Sequence, residues 1–463
     1  MNSIILNFDD AVNALKYLSA KATASMMCLR IKVSQKNIHS FSELFDDEKT
    51  VWIPGKDSTA HQPDWQITAL GCAQEINCKK NTDFSKMLAD ASLVFSQLSV
   101  VSDAPAPHFP QLRFIGGAAF APKSVEGRIW SDFGNARFVL PRWQYATQSG
   151  DATLQLVIGK DEFNQTEKWQ RELHQIFFWL RQKETLKMPV TESVSITHYS
   201  NDWETLVNDA LQEINKGHLQ KVVVSRMSHL KSTLPFSLQR VLERLAASYA
   251  NCTRFVVNNG EKVFVGATPE QLVRVTDSGR RISADALAGS AQRTGASDAG
   301  AMQLQHSEKE RREFEFVLDN IESQLKKCGV RITSERDIQI KSLKNLYHLY
   351  CPVTGVADMP MHILQLVEQL HPTPAVCGTP TKPAAEWLIR HEHQPRGWYA
   401  GPVGWFDEEG NGCFAVGIRS ALIHHDEAWL FAGAGIVKGS DAAVEFMETG
   451  AKLTPMLGAL GAI

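Results

Sequence analysis

Residues 430–437 read Leu-Phe-Ala-Gly-Ala-Gly-Ile-Val, and residues 445–452 read Glu-Phe-Met-Glu-Thr-Gly-Ala-Lys. The apolar first segment predicts a strand, and the second predicts a helix that begins after a polar turn. Glu445 and Glu448 are three residues apart, so their Cβ atoms lie about 5–6 Å apart on one helical face. Beside backbone N–H groups that small residues leave accessible, two such acids suit a divalent cation and an anionic ligand. A solvated helix face would show the same spacing, so the choice depends on the rest of the chain.

A second pair of acids has the same spacing in a helix predicted over residues 302–328. Glu310 falls on the buried stripe of this helix and Glu313 on its edge, whereas Glu308 points to the far side. Two Glu-x-x-Glu faces that meet could hold one hard cation through oxygen ligands, which is the coordination that Mg²⁺ prefers.

Composition limits the classes of partner. The chain has 463 residues, of which 43% are hydrophobic and 21% charged, as is usual for a globular protein with a large core. A net charge of −3 without a basic tract argues against nucleic acid as a partner. No run of 18 apolar residues and no basic leader is present, so we predict a cytoplasmic protein without an export signal or a membrane span.

Strand patterns and helix patterns alternate along the chain, which predicts an α+β fold with large mixed or antiparallel sheets and helices packed outside. We predict one two-lobed unit, with an N-terminal lobe over residues 1–195 and a catalytic region over residues 196–463. In the first part, helices are predicted at 9–20, 82–98 and 167–187. In the second, Asn201 is predicted to cap a helix with Glu204 as its capping-box partner.

Two charged residues stand next to apolar runs in the second part. Lys221 heads the run Val222–Val224, which predicts a buried strand, and a desolvated lysine can act as a base. A strand-end lysine that reaches solvent would give the same pattern. Thr268 and Pro269 predict the start of a helix with Glu270 in its first turn, where the acid could simply complement the helix dipole.

Seven segments together resemble the chorismate-utilising enzymes, which include isochorismate, salicylate, anthranilate and aminodeoxychorismate synthases. The resemblance covers residues 200–458, with a weaker match at Gly116–Phe120, and implies the fold of anthranilate synthase component I. The segments, in order, are Lys221–Val223, Ala267–Glu270, Leu287–Ser290, Glu308–Glu313, His371–Ala375, Phe431–Gly435 and Glu448–Lys452.

A few positions separate the members of this family. Lys221 stands where the ammonia-using members have glutamine, Ala288 where aminodeoxychorismate synthase has a nucleophilic lysine, and Ala375 where salicylate and anthranilate synthases have threonine. Tyr399, in the segment 396–401, is similar to the menaquinone-pathway members. The resemblance thus implies an isomerase that forms isochorismate for menaquinone synthesis. A siderophore-pathway isochorismate synthase, a salicylate synthase and a non-catalytic chorismate-binding protein are the alternatives.

The resemblance also implies roles for individual residues. Lys221 would be the general base for water and Glu270 the general acid for the departing C4 hydroxyl, although a helix-terminal position would oppose the protonation of Glu270. Mg²⁺ would be bound directly by Glu313 and Glu448, with Glu310 and Glu445 acting through metal-bound water. The chorismate site would comprise Gly289, Ser290, His348, Ala375, Tyr399, Arg419, Gly433, Gly435 and Lys452. A monomer without an amidotransferase subunit is implied.

Overall fold

The computed structural model describes residues 9, 11–13, 25–45, 48–56, 64–102, 109–122, 124–125, 129–182, 193–199, 202–293 and 299–463. Its strands are β1 (Met26–Lys32), β2 (Lys49–Ile53), β3 (Gln66–Cys78), β4 (Leu98–Ser102), β5 (Arg113–Ala118), β6 (Ala136–Gln148), β7 (Asp151–Gly159), β8 (Val194–Tyr199), β9 (Lys221–Ser232), β10 (Thr253–Asn259), β11 (Lys262–Thr268), β12 (Gln271–Thr276), β13 (Arg281–Gln292), β14 (Val330–Ile332), β15 (Gln339–Ser342), β16 (Leu346–Ala357), β17 (Gly378–Thr379), β18 (Pro402–Asp407), β19 (Gly412–Val416), β20 (Ser420–His424) and β21 (Glu427–Val437).

The helices are α1 (Ile38–Phe41), α2 (Phe84–Ser96), α3 (Thr166–Arg181), α4 (Trp203–Asn215), α5 (Leu238–Ser248), α6 (Ala299–His306), α7 (Glu308–Lys327), α8 (Ile363–Leu370), α9 (Thr381–His391) and α10 (Ala442–Ala459). In the described part of the chain, no helix is both long and apolar enough to cross a membrane.

Hydrogen bonds join the described strands into one large sheet in which neighbouring strands are antiparallel, apart from the parallel pair β1 and β4. Helix α7 packs on β13, and helix α10 packs on β21. The α+β class with a large, mainly antiparallel sheet and packed helices is therefore confirmed.

Strand pairs connect the two parts of the chain that we predicted as separate lobes. Strand β2 pairs with β10, and β5 pairs with β18, so each pair has one member on either side of residue 195. The hydrophobic core of the described residues consists of two clusters of buried residues, and each contains residues from before and after residue 195. The boundary at 195 stays a prediction, but the catalytic region shares its sheet with the N-terminal part.

The segment 430–452 folds as its pattern predicts. Strand β21 lies beside β9 in a register that places Gly433 opposite Ser225, Gly435 opposite Val223 and Val437 opposite Lys221. Helix α10 then begins after Asp441, whose carboxylate accepts hydrogen bonds from the N–H groups of residues 443 and 444. The pairing of β9 with β21 brings Lys221 to the end of the strand that leads into the acid-bearing helix.

Two predicted helices differ in the structure. The helix expected over 302–328 is two helices, because Ser307 interrupts it and caps α7 by accepting a hydrogen bond from the N–H of Glu310. The helix expected at Thr268–Glu270 is wrong, since β11 ends at Thr268 and β12 begins at Gln271. Strand β12 pairs with β13 on one side and β19 on the other, and this tertiary pairing overrides the local cap signal.

Predictions that extend beyond the described residues can be compared with the structure only in part. Most of the helix predicted at 9–20 and the end of that at 167–187 lie outside the described residues, as does Asn201. Helix α3 is present as far as Arg181. Asp202 occupies the N-cap of α4, and its side chain makes no capping hydrogen bond.

Candidate active site

One cleft gathers most of the residues that the family resemblance implied. Its lining includes Glu270, Gly289, Ser290, Glu313, His348, Ala375, Tyr399, Arg419, Gly433, Gly435 and Lys452. The other four predicted residues, Lys221, Glu310, Glu445 and Glu448, do not line the cleft themselves. Their contacts, described below, connect them to residues that do.

The two predicted acid pairs meet. Lys309 on α7 bridges the helices, because its Nζ lies 2.8 Å from Glu445 Oε1 on α10 and 3.8 Å from Glu310 Oε1. The remaining two acids each have a lysine partner as well: Glu313 Oε1 is 2.8 Å from Lys221 Nζ, and Glu448 pairs with Lys452 one turn along α10. We refer to Glu310, Glu313, Glu445 and Glu448 as the acid cluster. Because these acids meet, the interpretation of Glu445 and Glu448 as a solvated helix face is ruled out.

The acids of the cluster influence one another. Burial, and then repulsion from Glu313 and Glu448, raises the pKa of Glu310 to about 7. Burial and the charge of Glu448 also raise the pKa of Glu445. For Glu448 the effect of burial is outweighed by Lys452, and the pKa of Glu448 is lowered. Three lysines therefore face four carboxylates, and oxygen donors are in excess of local positive charge.

Lys221 is completely buried at the start of β9. Its Nζ has an ionic contact with Glu313 but no hydrogen-bond acceptor at a suitable angle among the described residues. The alternative of a strand-end lysine that reaches solvent is therefore wrong. The Lys221 amine thus lies beside the cleft and has one ionic contact, with Glu313, among the described residues.

Glu270 lies in the short link between β11 and β12, and this link is held from both sides. Lys341 Nζ donates a hydrogen bond of 2.8 Å to the carbonyl of Pro269, while the N–H of Gln271 donates one of 3.3 Å to Asp285 Oδ2. Asp285 also accepts from the Tyr350 hydroxyl at 3.2 Å. Neither Asp285 nor Lys341 belongs to a motif, so the sequence offered no signal for them.

The surroundings of Glu270 favour its protonated form. Burial, followed by repulsion from Asp285, raises the pKa of Glu270 to about 8, although the positive charges of Lys221, Lys341 and Arg419 act in the opposite direction. The carboxyl is therefore mostly protonated at neutral pH. The opposing helix dipole expected from the sequence does not exist, because Glu270 is not at a helix terminus.

His348 and Arg419 form one wall of the cleft. Arg419 Nη2 lies 3.1 Å from His348 Nε2, and since a guanidinium can only donate, Nε2 must be the acceptor. The neutral ring then carries its proton on Nδ1, which donates to the carbonyl of Gly289 at 3.0 Å and lies 3.1 Å from the Ser290 hydroxyl. Burial and the charge of Arg419 hold the pKa of His348 well below its usual value. Arg419 Nη1 has no hydrogen-bond partner among the described residues.

Small residues in β21 leave room for this arrangement. A Cβ on Gly435 would lie 2.5 Å from Glu313 Oε1 and 3.1 Å from Lys221 Cε. A Cβ on Gly433 would come within 3.2 Å of the Tyr399 hydroxyl, whose ring stacks on Phe431. Lys452 Nζ donates to the Gly433 carbonyl at 3.0 Å. Glycine is required here because a side chain would occupy the space between Lys221, Glu313 and Tyr399.

Arg396 positions the wall that carries Ala375 and Tyr399. Its buried guanidinium donates to the carbonyls of Val223 and Val376 at 2.5 and 2.7 Å and pairs with Glu392. Sequence reasoning did not assign this residue a role. It also assigned no role to Val376 and Ile418, apolar lining residues outside the motifs, because such residues are indistinguishable from core positions.

Known proteins similar to this chain show its family. A family model described as "Chorismate binding enzyme" matches residues 13–461. The salicylate biosynthesis isochorismate synthase of Pseudomonas aeruginosa is 30% identical over 87% of this chain and 84% of its own length. Isochorismate synthase MenF of Bacillus subtilis is 30% identical over 75% of this chain and 74% of its own.

Solved structures share the fold. MenF, the menaquinone-specific isochorismate synthase of Escherichia coli, superposes with a TM-score of 0.78 at 23% identity, over 98% of this chain and 99% of that one. Anthranilate synthase component I of Streptococcus pneumoniae gives a TM-score of 0.67 at 18% identity, over 91% and 99% of the two chains. From the family match over nearly its whole length and from these relatives, the chain belongs to the family of chorismate-binding enzymes.

Proposed function

We propose that this protein is an isochorismate synthase, an isomerase that adds water at C2 of chorismate and removes the C4 hydroxyl. The observation that carries the proposal is a buried carboxyl at Glu270, whose pKa is raised to about 8 by burial, in a cleft beside which the buried Lys221 pairs with Glu313. Water is a weak nucleophile and hydroxide a poor leaving group, so the reaction needs both a base and an acid.

In the proposed mechanism, Glu270 gives its proton to the C4 oxygen, which leaves as water. Lys221, as the general base, takes a proton from the water that attacks C2, while the ring double bonds shift between the two positions. One water enters and one leaves, so the product is an isomer of the substrate. The base and the acid return to their starting states once Lys221 has lost its proton and Glu270 has regained one.

The cleft also offers partners for the substrate's two carboxylates. Arg419 presents a guanidinium nitrogen, Nη1, without a partner in the described protein, and Tyr399 lies close by on Phe431. We assign these two side chains to the enolpyruvyl carboxylate. Gly433 and Gly435 leave backbone accessible, and Lys452 places a positive charge beside them. This arrangement would orient the ring between the base and the acid.

We also propose that the acid cluster holds Mg²⁺. Its donors are all carboxylate oxygens on two facing helices, which is the donor set that Mg²⁺ takes, and they outnumber the lysines beside them. Glu313 and Glu448 would be direct ligands, with Glu310 and Glu445 acting through water. When bound, the ion would supply positive charge for the ring carboxylate.

The pathway is a finer proposal. Tyr399 favours the menaquinone-type enzyme, and Ala375 favours an isochorismate synthase over a salicylate synthase. The relatives named above comprise a menaquinone-specific and a salicylate-biosynthesis isochorismate synthase. We propose a cytoplasmic monomer that acts on chorismate with water and needs no amidotransferase subunit. A salicylate synthase would additionally have to eliminate pyruvate.

A single incubation tests the reaction. Purified protein with chorismate and Mg²⁺ should yield isochorismate, resolved from salicylate and pyruvate by chromatography, and adding ammonium should give no aminated product. Salicylate together with pyruvate would replace the proposal with the salicylate synthase alternative. Unchanged chorismate under these conditions would contradict catalysis altogether, and titration of the protein with chorismate would then show whether it only binds.

A further inference from the structure

A cluster of possible metal ligands lies away from the cleft, where two hairpin turns meet. Glu261 is in the turn between β10 and β11, His424 is the last residue of β20, and His425 is in the turn that follows it. Strands β11 and β20 are neighbours, with Lys262 opposite His424, so their pairing fixes the two turns beside each other. The three side chains offer ligand atoms that all lie within 4.8 Å of one another.

The distances suit a metal better than a direct hydrogen bond. His424 Nε2 and His425 Nε2 lie 3.4 and 3.3 Å from the same carboxylate oxygen, Glu261 Oε2. Hydrogen bonds to a carboxylate are usually about 2.7–2.9 Å. Ligand atoms around tetrahedral Zn²⁺, at bond lengths of about 2.0–2.1 Å, are roughly 3.4 Å apart. The two distances to Glu261 Oε2 therefore match the ligand–ligand spacing of a tetrahedral zinc site.

The backbone holds the histidines in place. His425 has φ 54°, a conformation that is uncommon for a residue other than glycine, and its carbonyl accepts a hydrogen bond of 2.9 Å from the N–H of Phe236. The neighbouring acids Asp426 and Glu427 have other partners, since they pair with Lys231 and His229. Asp132, paired with Lys262, adds a negative charge near His424.

We propose that Glu261, His424 and His425 form a Zn²⁺ site with water as the fourth ligand. Two imidazoles and one carboxylate are a ligand set that zinc accepts, and their partial exposure leaves a path for the ion. The site lies where β11 begins and β20 ends. Glu270 follows the other end of β11, and Arg419 precedes the other end of β20. At about 3.3 Å per residue, the seven residues of β11 separate zinc from the cleft by roughly 20 Å. The ion would therefore join the two hairpins without taking part in the chemistry.

Calorimetric titration of the metal-free full-length protein with ZnCl₂, in the presence of excess Mg²⁺, tests this site. We expect one zinc per chain. His424→Ala and His425→Ala should each weaken binding by more than the roughly 10–100-fold that loss of an outer-shell partner costs. His218→Ala is the matched control, because His218 forms an ordinary exposed pair with Glu213 at 2.8 Å and should leave binding unchanged.

Cobalt substitution gives a second readout, because Co²⁺ at this site should show the intense visible bands of tetrahedral coordination, and Glu261→Gln should alter them. No zinc binding by the wild-type protein would overturn the proposal. So would binding that survives the loss of both histidines in a variant whose circular dichroism is unchanged. None of these measurements uses chorismate, so the result is independent of the proposed activity.

Discussion

Glu270 and Glu448 are both carboxylic acids beside the same cleft, but their surroundings drive their pKa values in opposite directions. Glu270 is buried in a strand link, has no paired lysine and faces the negative charge of Asp285, so its pKa is raised to about 8. Glu448 is on a helix one turn from Lys452, which outweighs the effect of burial and lowers its pKa. In the proposed mechanism, one residue type thereby provides the proton donor at Glu270 and a carboxylate for the cation at Glu448.

The difference shows that burial alone does not decide the state of an acid. For Glu448 the nearby lysines lower the carboxyl pKa, whereas the more distant positive charges around Glu270 do not offset its desolvation. Repulsion between acids also counts, because the pKa of Glu445 is raised although Lys309 Nζ lies 2.8 Å from its carboxylate. Glu270 has Lys221, Lys341 and Arg419 only as such more distant charges.

The largest expected effect comes from removing the proton-transfer groups. Glu270→Ala and Lys221→Ala should each lower kcat by about 10²–10⁴-fold, which is the usual contribution of general acid or base catalysis. Circular dichroism and chorismate binding should be retained, because both side chains lie at strand ends. A variant with more than a tenth of wild-type kcat would remove that residue from the mechanism.

The next largest effect should come from removing carboxylates of the acid cluster. Glu313→Gln and Glu448→Gln should raise the Mg²⁺ concentration needed for half-maximal rate by more than about tenfold, since each removes a proposed ligand. Excess chelator should abolish wild-type turnover reversibly. Glu308→Gln is the control on the same helix, because its side chain is exposed, and it should have no effect. An equal change in all three variants would argue that the cluster is not a specific cation site.

The pH dependence of the wild-type enzyme should reveal the proton donor. Burial raises the pKa of Glu270 above its ordinary value, so the donor is protonated at neutral pH and is lost as the pH rises through about 8. We expect kcat to fall on the alkaline side near that pH, as measured by a pH–rate profile in buffers of constant ionic strength. A rate that stays constant from pH 7 to well above 9 would contradict a protonated Glu270.

The smallest effect should come from the neighbour of Glu270. Asp285→Asn removes a negative charge that raises the pKa of Glu270, so the alkaline limb should move to lower pH while KM changes little. Lys341→Met should move the limb the other way, because Lys341 lowers that pKa. Two shifts in the same direction would indicate a general disturbance of the 268–271 link instead.

The sequence predicted those parts of the site that depend on local pattern and on motif order. The strand at Lys221 and the acid spacing on α7 and α10 were readable because helical and strand periods place side chains on known faces. The surroundings of Glu270 were not, because they come from β13, β15 and β16, which the chain brings in from distant positions. Thr268 and Pro269 are good helix-starting residues, and only strand pairing on both sides of β12 shows why no helix forms.

The pairing of β5 with β18 has a consequence for synthesis. Gly117 lies opposite Val403, so β5 leaves the ribosome long before its partner exists. Distant strand pairs form slowly and leave sheet edges open to other chains in the meantime. In the nascent chain, the edge of β5 that pairs with β18 therefore stays unpaired until most of the catalytic region has emerged. We expect chaperones to matter for yield, and a premature stop before β18 should release a product prone to aggregate.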